Sequence, residues 1–186
     1  AIIRIPVPCE EACPVGAISK DENGKERIDY SKCIFCGHCM SECPFGAMMD
    51  KSQLVDVIKH IMNGKKIVAM YAPSIAAQFK TDVGKFENAL LGCGFTNVYE
   101  VAKGADICAQ KEADEFTERR RPMHYTAELV KKENPDCVTV FIGPCLAKRR
   151  EGFDDELVDY VISVEELGAF FIARDIEIDM FEPLEK

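Results

Sequence analysis

From residue 52 onward, apolar and polar positions alternate with two recognisable periods, and the elements they predict come in regular succession. Leu54, Val55, Val57, Ile58 and Ile61 line one face of an amphipathic helix over residues 52–62, which Asn63-Gly64 ends. Ile67-Val68-Ala69-Met70-Tyr71 is an unbroken apolar run of strand length, and Pro73-Ser74 after it reads as a helix start. A helix over residues 85–91 is stopped by Gly92-Cys93-Gly94, and a strand over 97–101 follows. A charged helix is predicted over 106–120 and another helix over 123–132. Val138-Thr139-Val140-Phe141-Ile142 is the clearest buried strand and runs into Gly143-Pro144-Cys145; residues 160–164 read as a strand and 164–173 as a helix. Strands and helices alternating through short turns predict an α/β unit with a mainly parallel sheet. Chemistry in such sheets gathers beyond the carboxyl ends of the strands, which is where Cys145 is expected.

The first fifty residues have another texture, and they form the first of two predicted domains, 1-50 and 51-186. They are turn-rich, with Asp21-Glu22-Asn23-Gly24-Lys25 as a hairpin-like turn, and cysteine takes the place of a large core. Cys33-Ile34-Phe35-Cys36-Gly37-His38-Cys39-Met40-Ser41-Glu42-Cys43-Pro44 reproduces the bacterial C-x2-C-x2-C-x3-C-P pattern that holds cubane iron-sulfur clusters. A partial copy, Cys9-Glu10-Glu11-Ala12-Cys13-Pro14, lies upstream, and both copies continue alike, through Gly16-Ala17 and Gly46-Ala47. In two-cluster ferredoxins the fourth cysteine of each motif ligates the other cluster. That rule gives one complete 4Fe-4S ligand set, Cys33, Cys36 and Cys39 with Cys13, and leaves Cys9 and Cys43 for a second. Two thiolates of the second set are missing: the sequence is cut inside its first motif, or upstream residues lie outside these 186, or the second cluster has been lost. Zinc is the alternative occupant, since paired C-x2-C spacings bind it too, but zinc ribbons use neither the C-P ending nor this repeat.

Composition narrows the setting. Ten cysteines with no secretory leader suggest metal ligation in a reducing compartment, so a cytosolic (cytoplasmic) protein is expected. The longest apolar candidate, residues 67–79, contains Pro73 and Ser74 and is too short for a membrane span. A net charge of -9 speaks against a nucleic-acid face. Arg119-Arg120-Arg121 and Lys148-Arg149-Arg150 each sit beside carboxylates and read as solvated helix ends or turns. The acidic balance suits an electron carrier that docks on a basic redox partner.

Several stretches resemble the iron-only (FeFe) hydrogenases. Val68-Ala69-Met70-Tyr71-Ala72-Pro73-Ser74 looks like that family's strand before its first helix. Val98-Tyr99-Glu100-Val101-Ala102-Lys103-Gly104-Ala105-Asp106 and Glu112-Ala113-Asp114-Glu115-Phe116 look like its next block. Phe141-Ile142-Gly143-Pro144-Cys145-Leu146-Ala147-Lys148-Arg149-Arg150-Glu151 is similar to its second signature. The resemblance implies a ferredoxin-like (α+β) iron-sulfur domain followed by a partial hydrogenase-like α/β domain, with electrons passing to an H-cluster that reversibly reduces protons to hydrogen. It further implies that Cys145 is one of four thiolates on the H-cluster cubane and that Lys148 donates to a cyanide of its diiron part. Glu112, Glu115 and Arg119 would lie on a proton path, with Glu151 nearby. Their spacing of i, i+3 and i+7 does put Glu112, Glu115 and Arg119 on one helix face, although without the resemblance an ordinary charged face is the simpler reading.

The departures are as specific. The family's first signature, Thr-Ser-Cys-Cys-Pro, is absent, and residues 115–120 run almost directly into Arg121-Pro122-Met123-His124-Tyr125. A third signature with two further cysteines is absent as well, and Gly143 stands where methionine usually precedes Pro-Cys. Two explanations remain: a working hydrogenase-like protein whose cluster loops lie outside these residues, or a truncated relative that keeps only electron transfer. The first is the expectation, because all the losses fall on loops that a cluster would order. A non-catalytic hydrogen-sensing relative and an iron-sulfur assembly protein of the same fold are further alternatives. Cys93, Cys108 and Cys137 have no ligand spacing and read as structural, His38 as exposed loop, and His60 and His124 as lacking a metal partner.

Overall fold

The computed structural model describes residues 7–113 and 121–184, without the side chains at positions 76 and 111–113. It divides into two compact units, Ala1–Lys51 and Ser52–Lys186.

The first unit is built from two matching halves. Helix α1 (Pro8–Glu11) starts with proline at its first position, where the missing N–H costs nothing, and leads to strand β1 (Ile18–Lys20). Strand β2 (Glu26–Ile28) pairs antiparallel with β1, Ile18 opposite Ile28, and helix α2 (His38–Ser41) repeats α1. The hairpin turn forms because the Asp21 carboxylate accepts the N–H groups of Asn23 and Lys25, both at 2.9 Å, while Gly24 takes a positive φ of 75°. After each helix the chain makes the same Cys-Pro-x-Gly turn: Gly16 N–H donates to Cys13 O and Gly46 N–H to Cys43 O, each at 3.2 Å.

The second unit begins with α3 (Leu54–Met62), β3 (Ile67–Tyr71), α4 (Ile75–Phe79), α5 (Val83–Gly92) and β4 (Asn97–Glu100). It continues with α6 (Ala102–Ala113), α7 (Pro122–Glu133), β5 (Val138–Gly143), α8 (Ala147–Phe153), β6 (Tyr160–Ser163) and α9 (Val164–Ala173). The four strands pair in parallel in the order β4-β3-β5-β6. Every residue of β3 is buried, as a central strand covered on both faces requires. Because successive side chains alternate faces, Ile67, Ala69 and Tyr71 join one core with Val57, Phe86, Leu90, Leu167 and Phe171, from α3, α5 and α9. Val68 and Met70 face the other way, onto Met123, Ala127 and Val130 of α7.

Three elements depart from expectation. Helix α6 begins at Ala102, four residues before the predicted start, since the Gly104-Ala105 pair masked a helical turn. Val55 is exposed rather than part of the apolar face of α3. The Lys148-Arg149-Arg150 cluster is not wholly solvated: it lies within α8 and Arg149 is only 3% exposed. Its guanidinium donates to Val161 O and, at 2.5 Å, to Glu166 Oε2. Glu166 in turn closes a capping box with Ser163 at the start of α9.

Candidate metal centre

The six cysteines of the first unit fall into two electrostatic groups. Burial raises the Cys39 thiol above its ordinary value, and the neighbouring thiolate charges of Cys33, Cys36 and Cys13 raise it further. Cys9 is raised by burial, by the Glu26 carboxylate and by Cys43. Cys39 thus feels Cys13, Cys33 and Cys36, and Cys9 feels Cys43.

Backbone N–H groups are aimed at the sulfurs. Ala17 N–H donates to Cys13 Sγ at 3.2 Å and Ala47 N–H to Cys43 Sγ at 3.3 Å, matching bonds in the matching turns. Phe35 N–H reaches Cys33 Sγ at 3.4 Å, made possible by a left-handed Phe35, φ 55°. Burial raises the Cys13 thiol, but the N–H groups of Ala17, Val15, Gly16 and Ile18 outweigh it and hold the pKa below the ordinary value. The N–H groups of Phe45, Met48 and Ala47 do the same for Cys43. Such donors stabilise thiolate, the form that ligates iron. Among the described residues no three His, Cys, Asp or Glu side chains already converge as a metal-holding group.

The second set is less complete. With α1 matching α2 and Cys13 matching Cys43, the positions answering to Cys33 and Cys36 are Ile3 and Pro6. Spacing reasoning also passed over Glu26, whose two carboxylate oxygens are buried without a hydrogen bond among the described residues and whose Oε1 lies 3.9 Å from Lys20 Nζ. His38 is exposed as expected and borders a cavity of about 410 Å³ between α1 and α2, with Pro8, Glu11, Ala12 and Glu42.

In the second unit, Cys145 is exposed, just past the carboxyl end of β5. Lys148 Nζ is bound by Glu151 Oε2 at 2.6 Å, and Arg121 Nη1 reaches the same oxygen at 2.8 Å. His124, at the start of α7, pairs through Nδ1 with Asp155 Oδ2 at 2.9 Å, a partner that spacing did not suggest. Glu112 lies on the described backbone of α6, but its side chain is not described, and Glu115 and Arg119 lie outside the described residues. A side chain at Gly143 would put Cβ 2.8 Å from the Phe141 ring, so glycine there lets Phe141 turn into the space. Cys93 and Cys137 are buried at the amino ends of β4 and β5, on the opposite edge of the parallel sheet from Cys145. An H-cluster cubane needs four thiolates, and this unit offers one at the carboxyl edge, with Cys108 on α6 as the only remaining cysteine. The residues present do not fit it.

Comparison with known proteins agrees with both units. The family model of the iron only hydrogenase large subunit, C-terminal domain, matches residues 65–121 and 118–186, and that of the 4Fe-4S dicluster domain matches residues 8–47. The NADP-reducing hydrogenase subunit HndD of Solidesulfovibrio fructosivorans is 30% identical over 97 residues, 47% of this chain and 17% of that one. The thiosulfate reductase electron transfer subunit PhsB of Salmonella typhi is 34% identical over 80 residues, 42% of each chain. Among solved structures, an FeFe-hydrogenase HydA1 from Chlamydomonas reinhardtii superposes with a TM-score of 0.63 at 18% identity, over 73% of this chain and 50% of that one, a likeness of fold. The chain thus spans half or less of the length of each of these relatives.

Proposed function

This chain belongs to the iron-only hydrogenase large-subunit family, and on that footing we propose that it is an iron-sulfur electron-transfer protein, its N-terminal unit carrying single electrons through a 4Fe-4S cubane to or from a redox partner protein. Cys13, Cys33, Cys36 and Cys39 would hold that cluster, with Cys9 and Cys43 contributing to a second. One observation above all supports the reading: three thiols of one motif share their field with the fourth cysteine of the other copy, and backbone N–H groups point at the sulfurs. The cluster supplies the one-electron chemistry. The protein's part is to favour the thiolate form at the Cys13 and Cys43 turns and to tune the potential through the N–H donors aimed at the sulfurs.

Reversible proton reduction is the finer reading that family membership supports, with Cys145, Lys148 and Glu151 serving the H-cluster and Glu112, Glu115 and Arg119 the proton path. It needs thiolates that this α/β unit does not offer, so electron transfer is the activity proposed for the chain by itself. No helix among the described residues is long and apolar enough to cross a membrane. The cysteine-rich composition suits a reducing compartment, and we place the protein in the cytosol.

Anaerobic reconstitution with iron and sulfide, followed by reduction with dithionite and reoxidation by a viologen dye, tests the reading. The expected result is a brown protein that exchanges electrons reversibly and evolves no hydrogen. A colourless, zinc-loaded, redox-silent protein would contradict it.

A further inference from the structure

The chain leaves α9 through Asp175, whose left-handed φ of 54° turns the backbone so that Ile176 N–H donates to Phe171 O at 2.9 Å. Residues 176–184 then cross α5, with a single turn of 3-10 helix at Ile178–Met180. Phe181, Glu182 and Leu184 step along one face of that helix. A Cβ on Gly92 would lie 2.9 Å from the Phe181 ring, Asn88 Nδ2 donates to Glu182 O at 2.9 Å, and a Cβ on Gly84 would lie 2.9 Å from Leu184 N. Residues 84, 88 and 92 share a face because they are four apart, and the glycines let the segment lie close against the helix backbone. The ties differ in kind from those of the sheet. Leu184 N–H donates to Gly84 O at 3.2 Å, and exposed side chains add Lys85 Nζ to Asp179 O at 3.1 Å and Thr81 Oγ1 to Asp179 Oδ1 at 3.2 Å. Ile176, Ile178 and Phe181 pack on the core while only half-buried, and Met180 is 79% exposed. Each residue of β3, by contrast, is at most 1% exposed, and that strand is paired on both sides.

We propose that residues 176–184 are a strap that lifts off α5 as a unit, hinged at Asp175, while the four-stranded sheet stays folded. Opening it breaks solvent-exposed hydrogen bonds and bares three half-buried apolar side chains, features that mark the low-stability end of a fold. Opening β3 instead tears apart a core buried on both faces. The hinge suits the motion, since Asp175 is exposed and aspartate tolerates the left-handed conformation. Lifting the strap bares the face of α5 that carries Gly84, Asn88 and Gly92. The strap is a property of the α/β unit, so the inference goes beyond the electron-transfer reading and stands or falls apart from it.

Residue-resolved native-state hydrogen exchange of the full chain in rising urea tests it, with Met123→Ala as a variant that weakens the core under the other face of β3. The Phe181 and Leu184 amides should exchange at least about tenfold faster than the β3 amides, at rates that barely change with urea, as local opening requires. Met123→Ala should speed the β3 amides by about tenfold or more, because a cavity in the core lowers global stability, and should leave the strap amides unchanged. Strap amides that share the rate and the urea dependence of β3, or that accelerate with it in Met123→Ala, would overturn the inference. The wild-type urea dependence decides the matter even where the variant does not fold.

Discussion

Asp159 binds the ends of two elements with one carboxylate: Lys131 Nζ of α7 lies 2.9 Å away and the Thr139 N–H of β5 2.8 Å away. Burial pushes its pKa up, but Lys131 and the amide and hydroxyl of Thr139 outweigh that and hold it below the ordinary 3.8. A depressed carboxyl stabilises the fold fully above 3.8 and loses that contribution as pH falls through the lower folded value. Asp159→Asn should therefore lower stability at neutral pH by roughly 1 kcal/mol, a charged hydrogen bond discounted for partial exposure. Urea midpoints of the two proteins should converge in acid, and a gap that persists there would refute the assignment. Thiol reactivity separates the cysteines in the same way. Burial pushes Cys93 up to about 12 and raises Cys137, whereas Cys145 is exposed. At neutral pH iodoacetamide should label Cys145 in the native protein and reach Cys93 and Cys137 only on unfolding, as peptide mass mapping would register. At this scale the iron-sulfur motif was legible from spacing, because ligation imposes a spacing on neighbours in sequence, and the 4Fe-4S dicluster model matches residues 8–47. Glu26 and the His124–Asp155 pair were not legible, since each depends on partners brought together from other elements.

Among the elements, α6, α7 and α8 depend on two unusual residues. Gly104→Ala drives a methyl into Thr126 and the Pro122 carbonyl, a clash that helix separation must relieve. The expected cost is at least 1–3 kcal/mol, about the loss typical of overpacking, although alanine is the better helix former. Far-UV melting would check it, and an unchanged or raised midpoint would mean that the helices do not touch there. Arg149→Met removes the buried partner of Glu166 and the donor to Val161 O, which should cost about 3–5 kcal/mol. A paired Glu166→Gln should recover part of that loss by removing the stranded charge, and no recovery would argue against the pair. Strands were the most legible elements: the apolar runs at 67–71 and 138–142 form β3 and most of β5, since a strand covered on both faces has no polar side to confuse the pattern. The start of α6 was hidden because a glycine that looks like a helix breaker is the residue that lets α7 approach.

As a whole, the molecule joins a unit organised by ligation to one organised by a hydrophobic core, and the two were legible for different reasons. The first is written in the repeat of a motif; the second, in periodic burial, specifies a sheet but not whether its carboxyl edge bears a cluster. The central claim is that one cubane is shared between the two copies of the motif, held by Cys13 from the first and Cys33, Cys36 and Cys39 from the second. It is tested most directly by iron and acid-labile sulfide analysis, with electron paramagnetic resonance of the dithionite-reduced state, on the full-length Cys13→Ser and Cys9→Ser variants. The account predicts that Cys13→Ser loses or markedly alters the reduced cubane signal, whereas Cys9→Ser keeps it. A Cys13→Ser protein with an unchanged signal beside a Cys9→Ser protein that has lost it, or zinc without sulfide in the parent chain, would contradict the account.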